Sequence, residues 1–197
     1  NGQASSSSAA FSIAPLGSTT LAAEGVGSLS AGWVQVDANI AVGGVVTITS
    51  PEGSVATVEE GLPYRALMIP VVEDPGGGET AIALANPQAG EVALELLLRT
   101  LGGEEVAAGS TSLTLPAYGH IARFIRELFP GVDTMGFKGT VSVSAARAED
   151  RIAAAAIQAG STDGGFSALP VVGLDPEATE RTLYFAQYAS SGEWSSR

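Results

Sequence analysis

Apolar and polar side chains alternate over most of this chain, in short runs that end at Pro, Gly, Asn or Asp residues. In one such run, Val92, Leu94, Leu96 and Leu98 occupy every second position, and Glu95 lies on the opposite face. A period of two residues is typical of a β-strand with one buried face. The repeated runs therefore predict an all-β fold, with about seven strands and the pattern of a β-sandwich.

One segment departs from this alternation and has the period of a helix. Ile121, Phe124, Ile125 and Leu128 follow the spacing i, i+3, i+4 and i+7, which places them on one face of an α-helix. A Pro-Gly pair follows and would end the helix. The pattern predicts one short helix at about residues 119–129.

Three segments from the first part of the chain recur, in the same order, in the second part. Their common order and their Pro and Gly punctuation favour an internal repeat over a coincidence of short alternating runs. The three aligned pairs are Phe11–Gly17 with Leu113–Gly119, Gly32–Val36 with Gly139–Val143, and Ile40–Val42 with Ile152–Ala154.

A further echo links the C-terminal segment to the start of the predicted sandwich. Residues 181–188, RTLYFAQY, match residues 65–72, RALMIPVV, and both are followed by a Gly-containing turn. The repeats predict two Ig-like β-sandwich modules in tandem, of which the first is incomplete. The predicted domains are a partial module at residues 1–64, a complete module at 65–174, a linker at 175–181, and a strand at 182–197.

The partial module requires strands from elsewhere, because half a sandwich leaves an apolar face and unpaired backbone groups exposed. One arrangement is a continuous tandem protein; the other is a polymer in which each tail strand completes the next subunit. One tail strand is fewer than the roughly three that the open half lacks, which favours the continuous arrangement. Since Asn1-Gly2-Gln3 is not a natural translation start, we expect a removed leader or a longer chain.

We predict an assembly interface between the tail strand and the open module. Its residues are Leu183, Tyr184, Phe185, Gln187, Tyr188 and Trp194 on the tail, and Phe11, Ile13, Val34 and Val36 on the open module.

The charge composition excludes some classes of partner. The formal net charge is −12, and Lys138 is the only lysine, so the chain has no basic patch for nucleic acid. No apolar run approaches the roughly 20 residues of a membrane-spanning helix. We expect no nucleic-acid partner and no membrane insertion.

The residues that could carry chemistry are sparse, so we predict that the chain is not an enzyme. His120 is the only histidine and has no nucleophile motif near it in the sequence. Zinc is excluded by the lack of Cys and further His. Two acidic loops are candidate calcium sites, although solvated loops are the simpler interpretation. The carboxylates are Glu73, Asp74 and Glu79 on one loop and Glu149 and Asp150 on the other.

Several segments resemble the tandem β-sandwich repeats of large secreted and surface-exposed bacterial proteins. The resemblance covers most of the chain and implies an extracellular, non-enzymatic repeat module. In such repeats the aromatic strand with Gly-x-Trp continues into an apolar strand ending in Asn-Pro, whereas this sequence stops at Arg197. The motifs are Leu183–Tyr188 with Gly192-Glu193-Trp194, Ile82–Pro87, and Gly119–Phe124 with Glu127–Pro130.

Together these features predict a structural subunit of an extracellular bacterial filament or surface appendage, assembled head to tail. Its partners would be copies of itself or adjacent repeats of the same chain. The alternative is a carbohydrate-binding or adhesion module, with Trp33, Trp194, Tyr184 and Tyr188 as a sugar platform. Sheet packing or an interface is the competing role for these aromatic residues.

Overall fold

The structure, a computed structural model, describes residues 8–22, 32–49, 53, 55–160, 165–174, 190–191 and 194–195. Contacts divide the chain into two compact units, residues 1–31 and residues 32–197. In the first unit, the described residues 8–22 contain one turn and no strand.

All the regular elements that the structure describes lie in the second unit. They are β1 (Val45–Thr49), β2 (Val55–Glu59), β3 (Ala66–Val72), β4 (Glu79–Ala85), β5 (Val92–Thr100), β6 (Glu105–Leu115), β7 (His120–Phe124), α1 (Ile125–Leu128), β8 (Lys138–Ala145), β9 (Ala153–Ala159), β10 (Phe166–Leu169), β11 (Val172–Gly173), β12 (Ser190–Ser191) and β13 (Trp194–Ser195).

Strands β3 to β11 form two antiparallel sheets with one core between them, which confirms the all-β, sandwich-like architecture. The first sheet has the order β10-β9-β4-β7 and the second has the order β11-β3-β8-β5-β6. The core consists of the inward residues of both sheets together with α1 and its C-cap. Its members are Leu67, Ile69, Val71, Ile82, Leu84, Val92, Leu94, Leu96, Leu98, Leu115, Ile125, Phe129, Val141, Val143, Ala145, Ile152 and Ala156.

The order of strands differs from that of an immunoglobulin constant domain. If β3 to β9 are lettered A to G, the two sheets contain B, E and G, and A, C, D and F. The constant-type domain instead groups A, B, D and E against C, F and G. Relative to strands B and E, strands A, D and G therefore belong to different sheets in the two arrangements.

The predicted helix at residues 119–129 is wrong for its first half. Residues 120–124 form β7, which pairs antiparallel with β4 from Ala85↔His120 to Ala81↔Phe124. Only the single turn Ile125–Leu128 is helical. The edge of β4 offers a full row of backbone partners, and this non-local pairing outweighs a local helical pattern.

Strands predicted in the first part of the chain are absent from the described residues. Residues 11–14, 18–22 and 32–37 have no strand there, although alternation predicts strands at 11–14, 18–23 and 29–37. The strand predicted at 40–49 begins only at Val45. A strand needs a neighbour to pair with, and the described residues supply one only for 45–49, in the hairpin with β2.

The strand predicted from Phe166 to Val172 is two strands in different sheets. Pro170 separates β10, which pairs with β9, from β11, which pairs with β3. Proline lacks the N–H that a continuous ladder would require, so the chain crosses between sheets at this point.

Candidate assembly interface

The same uncommon turn occurs in both copies of the repeat. In the second copy, Gly119 N–H donates to the Pro116 carbonyl at 2.8 Å, and in the first, Gly17 N–H donates to the Ala14 carbonyl at 2.8 Å. The residues before the two glycines, Tyr118 and Leu16, have φ values of 54° and 62°. Few residues other than glycine adopt positive φ, so the two aligned segments share an uncommon local geometry.

The aligned residues of the two copies differ sharply in exposure. Val141 and Val143 of β8 are completely buried. Their counterparts Val34 and Val36 are 78% and 54% exposed. The same side chains at the same repeat positions therefore lie in a core in the second copy and at the surface in the first.

Ile40 extends this contrast beyond the residues that the sequence singled out. It aligns with Ile152, which is completely buried, yet Ile40 is 65% exposed, and Val42 is exposed as well. These two residues were aligned in the repeat but were left out of the predicted interface. Ile40 and Val42 align with the residue before β9 and with a residue of β9. That alignment was the sequence signal that could have added them to the predicted interface.

Phe11 and Ile13, also predicted for the interface, lie in the first unit just before its turn. Phe11 is exposed and Ile13 is half-buried. Their counterparts near the end of β6 are the half-buried Leu113 and the buried Leu115. As at Val34 and Val36, the residues of the first copy are more exposed than their counterparts, but the difference in exposure is smaller.

The hairpin β1–β2 carries further exposed apolar side chains. Its two strands pair from Val45↔Glu59 to Thr49↔Val55. A two-stranded hairpin on its own is marginally stable in water; this one contacts β10 of the first sheet, buries Ala56 and half-buries Val58. The exposed apolar residues of the hairpin are Val45, Val46, Ile48 and Val55.

The segment after the hairpin lies close to the first sheet of the sandwich. A β-carbon at Gly61 would stand 3.0 Å from the Ala154 carbonyl oxygen of β9. Beside it is an open cavity of about 650 Å³, whose walls include Leu62, Tyr64 and Leu169. Residues from the end of the first copy and from the end of the second copy thus line the same cavity.

Trp33 does not form an exposed platform. Its side chain is half-buried, and its indole N–H donates to the Tyr118 carbonyl oxygen at 3.1 Å. This hydrogen bond ties the Trp33 side chain to the turn that precedes Gly119. This hydrogen bond has no signal in the sequence, since the two residues are 85 positions apart.

The tail residues predicted for the interface fall largely outside the described residues. These are Leu183, Tyr184, Phe185, Gln187 and Tyr188. Trp194 belongs to β13, where it pairs with Ser191 of β12. The structure therefore describes all the open-module residues predicted for the interface, and of the tail residues only the backbone pairing of Trp194.

The acidic loop between β3 and β4 uses its carboxylates internally. Glu73 is buried and accepts a hydrogen bond from the Thr80 N–H at 2.9 Å. Asp74 accepts from the Gly76 N–H at 2.8 Å, and Glu79 forms an ion pair with Arg126. Burial raises the pKa of Glu73, against the opposing effects of Thr80 and Arg126.

The second acidic loop and the histidine offer no assembled site. Asp150 is buried, and its Oδ2 atom has no hydrogen-bond partner. His120 lies in β7 opposite Ala85, and burial lowers its pKa. Within the described ranges, no three carboxylate, histidine or cysteine side chains converge on a possible metal position.

Comparison with known proteins gives no relative for this chain: no family model, no curated protein and no solved structure matches it. No helix in the part of the chain that the structure describes is long and apolar enough to cross a membrane.

Proposed function

We propose that this chain is a structural repeat protein that assembles head to tail, with the first copy of the repeat completed by strands of another copy. The observation that carries the proposal is the contrast between aligned residues. Val34, Val36 and Ile40 are exposed, whereas their counterparts in the second copy are completely buried. An apolar row of this kind on a strand-like segment marks an interaction surface.

The second copy indicates what the first copy lacks. There, β8 lies between β3 and β5, and it pairs antiparallel with both. In the first copy, the described residues provide no strand beside residues 32–36. Completion by strands of another repeat would bury the apolar row and satisfy the open backbone groups at the same time.

The surrounding surface is consistent with a structural role outside the cell. The formal charge of −12 with 15% charged residues keeps the exterior acidic, which limits non-specific association. The resemblance to tandem repeats of secreted bacterial proteins supports an extracellular filament or surface appendage. Contacts between copies are heterologous in this arrangement, so they propagate in one direction unless a ring closes.

The experiment compares the full chain with a variant that lacks residues 182–197. Sedimentation velocity over a range of concentrations and negative-stain imaging measure the size of the assemblies. We expect the full chain to form multimers and the truncated chain to stay monomeric, with the near-UV circular dichroism of the sandwich unchanged. A variant lacking residues 1–7 is the matched control and is expected to assemble normally. Multimers of the truncated chain would overturn the proposal.

A further inference from the structure

The β3–β8 pair of the second copy gives a template for the missing contact. Leu67 lies opposite Val143, and Ile69 lies opposite Val141, in an antiparallel ladder. All four side chains are completely buried. They form the centre of the five-stranded sheet's inner face.

Both members of this ladder have a counterpart in the repeat. Residues 32–36 align with 139–143, so Val34 and Val36 take the places of Val141 and Val143. Residues 181–188 align with 65–72, so Leu183 and Phe185 take the places of Leu67 and Ile69. The four central inward positions of the template are thus apolar in the counterparts, whereas the polar Gln187 takes the place of the buried Val71.

The charges of the two counterparts are compatible with burial. Residues 182–188 contain no charged side chain, and neither do residues 32–36. Two uncharged segments in a chain with 21 acidic residues and nine basic ones can pair without burying an unpaired charge.

The template also separates the two faces of the tail strand. Met68 and Val72, the counterparts of Tyr184 and Tyr188, are half-buried and lie on the outer face of β3. A tail strand paired in the same way would place Leu183 and Phe185 inward and the two tyrosines on the outer face. Gln187 takes the place of Val71, at the end of the ladder opposite the position of Gly32.

We propose that the segment Leu183–Gln187 of one copy pairs antiparallel with residues 32–36 of a second copy, with Phe185 opposite Val34 and Leu183 opposite Val36. This inference rests on the proposed function, and it adds the strand direction and the register. A slip of one residue would turn Leu183 and Phe185 to the outer face.

The test uses cysteine cross-linking, for which the chain has no background because it contains no Cys. Two single variants, Val34→Cys and Phe185→Cys, are mixed and oxidised under mild conditions. Directly opposite residues have β-carbons about 4.5–5.5 Å apart, near the range that a disulfide spans. We expect a covalent heterodimer, identified by peptide mass.

The matched control replaces Phe185→Cys with Tyr184→Cys, which places the thiol on the opposite face of the same strand. We expect the 34–185 cross-link to exceed the 34–184 cross-link by about tenfold, because neighbouring strand residues face opposite sides. Val36→Cys with Leu183→Cys gives an independent second pair. Thermal unfolding of each variant checks that the sandwich, which contains none of these positions, is intact.

The outcomes separate the register from the proposed function. Multimers in sedimentation with equal cross-linking at positions 184 and 185 would overturn the register and leave head-to-tail assembly standing. No multimers and no cross-links would overturn both. Cross-linking at both expected pairs and not at the control establishes the partner segment.

Discussion

The segments that align between the first and second parts of the chain, called here the first and second copies, carry similar residues in the same order, but only the second copy buries them. Both copies form the turn with positive φ at Leu16 and Tyr118. Only the second copy forms the strand that should follow, since residues 139–143 lie within β8 while residues 32–36 lie in no strand. The turn depends on a few neighbouring residues, whereas the strand depends on partners that are distant in sequence.

The largest effect should come from truncating the aligned isoleucines. Ile152→Ala removes a completely buried side chain, so we expect it to lower the free energy of unfolding by about 2–5 kcal/mol. Ile40→Ala should change it by less than about 0.5 kcal/mol in the monomer, as at other exposed sites. Chemical denaturation of both variants measures the two values. Equal losses would mean that Ile40 also lies in a core.

The second largest difference in stability should come from substituting the aligned glycines, Gly32 and Gly139. A β-carbon at Gly139 would overlap the Arg99 carbonyl oxygen and stand 2.7 Å from Cζ of Phe137, whereas one at Gly32 meets nothing within 4 Å. We expect Gly139→Ala to destabilise the fold by about 1–3 kcal/mol or more, as overpacking does. Gly32→Ala should leave the midpoint of thermal unfolding unchanged. A similar shift for both variants would contradict the contrast between the copies.

The sequence predicted the second copy well because its signals are consistent with one another. The alternating run from Val92 to Leu98 lies in β5 with its apolar residues buried, and the Ile82–Pro87 motif matches the end of β4 at Ala85, just before Asn86-Pro87. It failed where a local pattern competed with distant pairing. At residues 120–124 the edge of β4 overrode a helical spacing, and at 32–37 alternation had no partner strand.

The candidate interface was only partly predictable for the same reason. Val34 and Val36 could be selected from the repeat alone, and they are exposed. The bond from Trp33 to the Tyr118 carbonyl could not be foreseen, because it joins residues 85 positions apart in the sequence. It also could not be foreseen that the Glu73 and Glu79 carboxylates bind partners within the protein, so that neither is a free carboxylate.

Substitutions in the two turns should have a smaller effect on stability. Tyr118 has a φ of 54° and an exposed side chain, so Tyr118→Gly should relieve backbone strain and stabilise the sandwich by up to about 1 kcal/mol. Leu16→Gly changes the equivalent turn in the other compact unit. It should not shift the unfolding transition of the sandwich. Differential scanning calorimetry of the two variants tests whether the turns act separately.

The smallest effect should be the pH dependence contributed by Glu73. Burial raises its pKa, so the folded state favours the protonated carboxyl. That contribution to stability is present below the unfolded-state pKa and is lost as pH rises through the folded-state pKa. Glu73→Gln keeps an oxygen acceptor for the Thr80 N–H and stays neutral. We expect the variant to be more stable than the parent at pH 7 but not at pH 3, by urea denaturation.

Hydrogen exchange at residues 32–42, compared with residues 139–145, tests the central claim most directly. Exchange is measured by mass spectrometry at several protein concentrations, with sedimentation in parallel. The account predicts that residues 139–145 are protected throughout, and that residues 32–42 become protected only when copies associate. Strong protection of residues 32–42 in the dilute monomer would contradict it, as would rapid exchange there in the assembled protein.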